Sequence, residues 1–315
     1  MNYGEIISEA FRLIWRNRFL WFFGFFVGGG GGFFNIPNSV SNFRGPSKTG
    51  PSGGQIGRFI SENVGLIVAL AVLLVALVLV WIFLSLVSQA ALADGVAALH
   101  RGEERRFSST FRAGLSNFWR VLGFAVLFFI ISIAIAFLIF ALAALPIIGV
   151  LAATNSTGVR VGVIALVALI GVGLLIVIFV LLSIIGRLGL RALVVGRERI
   201  FSSLRSGYSL FLRHPGQGLL VWLIGVALSL GATLALLILA LILGLVLAAP
   251  VVALFIANLR IVAIIVGVMA AIVFLVPFVI AWAAIGTFNH AYWTLAYLRL
   301  VALTEGVVRE PGQGA

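Results

Sequence analysis

The stretch 64–93 contains no Asp, Glu, Lys, Arg or His. Wound as a helix rising about 1.5 Å per residue, it is longer than the ~30 Å hydrocarbon core of a bilayer. Water would leave that surface as a single apolar patch, whereas lipid covers it. Five further apolar runs follow the same rule, and the six together are 19–36, 64–93, 121–150, 161–186, 219–249 and 261–285. They predict an all-α integral membrane protein with six transmembrane helices. Composition agrees, because only 10% of residues are charged and 63% are hydrophobic, where a soluble domain carries roughly 25% charged residues. The chain has no cysteine, which excludes disulfides, thiolate metal sites and cysteine nucleophiles.

Orientation follows from arginine placement. With six spans, both termini share a side with Arg12, Arg16, Arg18, the Arg101–Arg120 group, the Arg187–Arg213 group, Arg299 and Arg309. The opposite side holds only Arg44, Lys48, Arg58, Arg160 and Arg260. Basic loops stay cytoplasmic, so the expected topology is N-in and C-in. Abundant Arg, Ala and Gly beside a single Lys fit a GC-rich bacterial genome, hence a bacterial cytoplasmic membrane. A signal peptide over 1–41, cleaved near Ser39 or Ser41, is the competing reading; its 18-residue amphipathic leading region would be unusual.

Two basic segments repeat. Phe107-Ser108-Ser109 is matched by Phe201-Ser202-Ser203. One residue of slippage later, Arg112, Gly114, Ser116, Phe118 and Arg120 are matched by Arg205, Gly207, Ser209, Phe211 and Arg213. The N-terminus reads as a third, more divergent copy, with Glu5, Glu9, Arg12 and Arg16 on one stripe and Tyr3, Ile7, Phe11 and Ile14 on another. Each copy reads as an amphipathic interfacial helix followed by a transmembrane hairpin. The expected organisation is therefore one domain, 1–303, of three tandem units, about 1–93, 94–186 and 187–303. A polar outer loop occupies 35–62 and a short cytoplasmic tail 304–315. The apolar stripes are expected to be Phe107, Phe111, Leu115, Phe118 and Leu122 in the second copy, and Leu204, Tyr208 and Phe211 in the third. Two readings of the arginines stand: anchoring at an anionic inner leaflet, or headgroup binding as part of function by Arg112, Arg120, Arg205 and Arg213.

Catalytic chemistry is sparse. The three histidines show no metal-ligand spacing, and no nucleophile elbow or P-loop is present. The run Gly28–Gly32 departs from the dinucleotide fingerprint at Phe33. Asp94 and His290, at the inner ends of their apolar runs, are expected to cap helices or face headgroups. Asp94, Glu103 and Glu104 read as a solvated loop neutralised by arginine. No catalytic residue, metal or cofactor is assigned, and nucleic acid is not an expected partner because the arginines hug span ends. Small residues at every fourth position, Gly24, Gly28 and Gly32 in the first span and Ala263, Gly267 and Ala271 in the sixth, make smooth helix-packing faces. Pro146 and Pro277 are expected to kink their spans.

The segment Tyr3-Gly4-Glu5-Ile6-Ile7-Ser8-Glu9-Ala10-Phe11-Arg12-Leu13-Ile14-Trp15-Arg16-Asn17 resembles the opening of a broad group of bacterial and archaeal multi-span proteins. That group is similar to the membrane domain of glycerophosphoryl diester phosphodiesterases. Their catalysis belongs to a separate soluble barrel that this chain lacks, so the resemblance implies a membrane module without a hydrolase. The sequence leads to a non-catalytic membrane subunit, structural or partner-binding, joined to anionic lipid and to a protein partner or copies of itself. The alternative is a transport or lipid-handling protein with a groove between repeats, lined by uncharged groups such as Ser85, Ser88, Gln89, Ser183, Thr287 and Asn289.

Overall fold

The computed structural model describes residues 1–28 and 63–306. Among these residues the chain is helical and has no strands. A short helix α1 (Tyr3–Arg16) leads into α2, whose described part is Leu20–Gly28. The long α3 (Val64–His100) follows, then short α4 (Phe107–Ser116) and long α5 (Phe118–Ala153) and α6 (Thr157–Val194). Short α7 (Ile200–Arg213) and long α8 (Pro215–Ile256) and α9 (Arg260–Thr304) complete the order. Five of these, α3, α5, α6, α8 and α9, are long and apolar enough to cross a membrane. The remainder of the expected first span, with Gly32, and the loop 35–62 lie outside the described residues, as does most of the tail.

Capping starts and stops the first helix. The Asn2 side chain accepts from the Glu5 N–H at 3.3 Å, Glu5 occupies the first turn and Arg16 the last, as the helix dipole favours. Asn17 ends it by donating its side-chain amide to the Leu13 carbonyl at 2.9 Å. Asn117 does the same for α4, reaching the Ala113 carbonyl at 3.0 Å. The helices α3 and α9 turn away through left-handed glycines, Gly102 and Gly306, where a side chain would be strained. Pro146, Pro250 and Pro277 all sit inside helices that continue past them.

The short helices share one end of the bundle: α4 and α7 pack on the long helix that precedes each, α3 and α6, and α1 packs on the last helix, α9. The last pairing joins the two ends of the chain, and α2 also lies along α9, so the helices close into a ring. Inside that ring α3, α6 and α9 meet one another. Close approach depends on small residues. A Cβ on Gly114 would stand 2.5 Å from the Val87 carbonyl, and one on Gly207 would stand 2.7 Å from the Gly189 nitrogen. Ala10 of α1 is likewise fully buried.

This packing differs from the stripes expected in α4 and α7. The faces that bury are Thr110 with Gly114, and Ser203 with Gly207 and Leu210. Phe107, Leu115, Phe201 and Tyr208 stay exposed, because the bulky rings cannot enter an interface set by glycine contact. Leu115, Phe201 and Tyr208 project from the short helices, as amphipathic side chains do at a membrane surface, while the Phe107 ring stacks on Phe23 of α2 at 5.3 Å.

The core sits at the end carrying the short helices, around Phe23, Leu92, Leu188, Tyr292, Trp293 and Leu295. Away from it the long helices expose apolar side chains on most sides, among them Val72, Phe137, Leu169 and Leu245. Only a bilayer covers such a surface, and the chain is a membrane-spanning protein.

The helices also outrun their apolar runs. Asp94 and His290 lie inside α3 and α9 and cap neither. Arg187 and Arg191 lie within α6. The reason is that apolar and small residues resume after each polar one, as in Leu188-Gly189-Leu190, and protein packing carries the helix onward.

Candidate functional site: a cavity with a cationic head

A cavity of about 570 Å³ lies between α5 and α6 on one side and α8 and α9 on the other, with Gln89 of α3 and the end of α2 closing it. Its size falls within the range usual for small-molecule sites. Contact between these two helix pairs is sparse compared with the packing of α2 on α9, which leaves the space open. One part of the wall is apolar, formed by Phe124, Phe128, Ile135, Ile139, Leu175 and Ile178. Ser132, Ser229 and Thr233 return their hydroxyls to carbonyls of their own helices, so that wall offers little to a polar ligand.

The other part is polar. It gathers Gln89, Ser183, Arg187, Arg191, Asn289 and His290 from three helices that meet inside the ring. Arg187 and Arg191 are one turn apart and so share a face of α6. Arg191 is only 2% exposed; its Nη1 donates to the Arg187 carbonyl at 2.8 Å. The Arg187 guanidinium lies 4.8 Å from the Trp293 ring centroid. Among the described residues neither arginine has a carboxylate within 4.0 Å. Among the described residues Arg191 Nε, His290 Nδ1 and Trp293 Nε1 are buried without a hydrogen-bond partner.

The residues singled out in sequence fall elsewhere. Arg112, Arg205 and Arg213 are exposed on or at the ends of α4 and α7. Arg120 is half-buried and engaged, donating to Asn117 Oδ1 at 3.0 Å, to the Leu193 carbonyl at 3.2 Å and to the Glu198 carbonyl. It thus ties α5 to the turn between α6 and α7. Gly24 and Gly28 face α9: a Cβ on Gly24 would stand 2.0 Å from Thr287 Oγ1, and one on Gly28 would stand 3.1 Å from Gly286 Cα. Thr287 donates to the Leu20 carbonyl at 3.2 Å across this contact. Ala263 is buried and Gly267 approaches Val251 of α8, while Ala271 is exposed. Of the uncharged groups named for a groove, Gln89, Ser183 and Asn289 line the cavity, and Ser85, Ser88 and Thr287 do not.

A second polar cluster fastens the ring. Glu9 meets His100 of α3 and lies 3.6 Å from Arg299 of α9, while Glu5 accepts from Arg299 at 3.2 Å. In the loop after α3, Arg105 lies 3.4 Å from Asp94 and 3.3 Å from Glu103. Arg101 donates to Glu103 at 2.8 Å and, with Arg105, holds that exposed carboxyl below the usual range. Among the described residues no three His, Asp or Glu side chains gather as a metal site would require.

Sequence reasoning counted Arg187 and Arg191 only among the basic residues at the span ends, gave His290 to a cap or to headgroups, and did not single out Trp293. A signal was present: two arginines at a spacing of four, each followed at once by apolar residues, read as the inward face of a continuing helix rather than a loop.

Fold and cavity define a membrane-spanning helical protein with a ligand-sized, one-sidedly cationic chamber. The chain belongs to a family of unknown function, DUF7544, whose model matches residues 15–305. No curated protein matches the chain, and no solved structure does.

Proposed function

We propose that the protein takes an amphiphilic small molecule from the bilayer into this cavity, as a non-catalytic lipid-handling or transport protein. The observation that carries the reading is the chamber itself, apolar along one wall and polar at one end, open between two helix pairs that barely touch. A chain selected only for packing would close such a space, because protein interiors are packed as densely as organic crystals. The small residues Gly24 and Gly28 pack on α9 of the same chain and so offer no face to a separate partner.

In this reading the protein has six spans in three units in the bacterial cytoplasmic membrane, with both termini inside. The short–long–long element order of the second and third units, the matched glycines Gly114 and Gly207, and the matched asparagine caps Asn17 and Asn117 all favour it. The basic end then faces the cytoplasm, and the exposed arginines of the short helices lie against the anionic leaflet.

Native mass spectrometry of the protein released gently from its membrane tests the reading. The unaltered protein should carry one amphiphile per chain, and Ala136→Trp, which fills the cavity from its apolar wall, should lose it. Retention undiminished in folded Ala136→Trp would sink the proposal.

A further inference from the structure

Burying a guanidinium without a counter-charge is costly, by several kcal/mol on general grounds. Yet Arg187 and Arg191 line the cavity and, among the described residues, neither has a carboxylate within 4.0 Å. Among the described residues no Asp or Glu lines the cavity either. The surroundings supply donors instead. Trp293 Nε1 and Arg191 Nε are buried and unpartnered, and Gln89 and Asn289 add side-chain amides. Buried donors in folded proteins almost always have acceptors. Among the described residues Trp293 Nε1 and Arg191 Nε meet no acceptor, and a cavity stands beside them. Intramembrane cations of this kind mark functional sites.

We infer, building on the amphiphile reading above, that the ligand's head is a phosphate monoester held by Arg187 and Arg191. Two guanidinium groups carry two positive charges, and a phosphate monoester carries about −1.5 to −2 near neutral pH, where a carboxylate carries one. Planar N–H pairs match phosphate oxygens in a bidentate manner. The Arg187 guanidinium lies over the Trp293 ring, 4.8 Å from its centroid, a cation–π contact that helps to hold the group at the cavity. The tail of the ligand lies along Phe124, Phe128, Ile135 and Ile139.

The test uses the purified full chain in a neutral detergent and follows tryptophan fluorescence, since Trp222 and Trp293 both line the cavity. Four probes are titrated: a single-chain lysophosphatidic acid, the lysophosphatidylcholine and the fatty acid of equal chain length, and inorganic phosphate. The phosphate monoester should bind roughly tenfold tighter than the other two amphiphiles, with inorganic phosphate failing to compete at equal concentration. Arg187→Gln should weaken the monoester about tenfold and lysophosphatidylcholine, whose phosphodiester carries one negative charge, by less. Arg191 is buried, so its variants risk misfolding, and the ranking of probes by the unaltered protein stands without them. Equal binding of monoester and lysophosphatidylcholine, both lost in Ala136→Trp, would overturn the anion site while leaving the cavity reading intact. Binding of every probe undisturbed by Ala136→Trp would overturn both. A fatty acid binding as tightly as the monoester would refute the phosphate head, and competition by inorganic phosphate at equal concentration would refute the amphiphile.

Discussion

The Arg187 guanidinium of α6 lies over the Trp293 ring of α9, 4.8 Å from its centroid, at the polar end of the cavity. This contact links two of the three helices that meet inside the ring, and it places a cation where the ligand would be held. A double-mutant cycle of Arg187→Gln and Trp293→Leu should show a coupling of about 0.5–2 kcal/mol in thermal unfolding. Strict additivity would mean that the contact contributes nothing.

The interface of α2 with α9 is set by hard contact. Gly24→Ala places a methyl group 2.0 Å from Thr287 Oγ1 and 2.3 Å from the Ala283 carbonyl. It should destabilise the protein by about 1–3 kcal/mol and lower its melting temperature in detergent. Gly65→Ala, which meets nothing within 4 Å, is the matched control and should melt as the unaltered protein does.

Glu9 holds both His100 and Arg299, and so joins α1 to α3 and α9. Glu9→Gln should cost about 1 kcal/mol, as expected for a partly exposed pair within a network. Its specific sign is faster hydrogen exchange over 3–16. Unchanged exchange there would show that apolar packing through Ile6, Ala10 and Ile14 suffices to seat the helix.

The four arginines of the two matched segments divide by role. Arg120 donates to three oxygens, and Arg120→Ala should cost about 1–3 kcal/mol by leaving carbonyls unpaired. Exposed Arg112, Arg205 and Arg213 should change to Gln with stability altered by less than about 0.5 kcal/mol. If they grip anionic headgroups, the triple variant loses co-purifying anionic lipid in native mass spectrometry; equal lipid retention would leave them as solvated charge.

Because the chain has no cysteine, single cysteines report topology cleanly. Glu104→Cys, after α3, should be shielded from a membrane-impermeant maleimide in intact cells, and Ser156→Cys, between α5 and α6, should react. The reverse pattern would invert the proposed orientation.

The solvent of this protein is legible in its sequence, because a bilayer imposes a simple rule: long uncharged apolar runs and basic residues at one end. Five of the six apolar runs coincide with long helices, and the short amphipathic helices stand where Glu and Arg periodicity put them. Local composition encodes which medium a residue prefers, and that much needs no partner to read. Which neighbour a residue meets is a different matter. Arg187 and Arg191 have the same composition around them whether they face headgroups or a chamber. They become a site only when Gln89, Asn289, His290 and Trp293 arrive from two other helices. Likewise Gly24 could have served a partner's helix, and ring closure by α9 gave it an internal one. Hydropathy marks where apolar runs stop, but the helices run on past them because side chains packed against protein no longer depend on lipid for their burial.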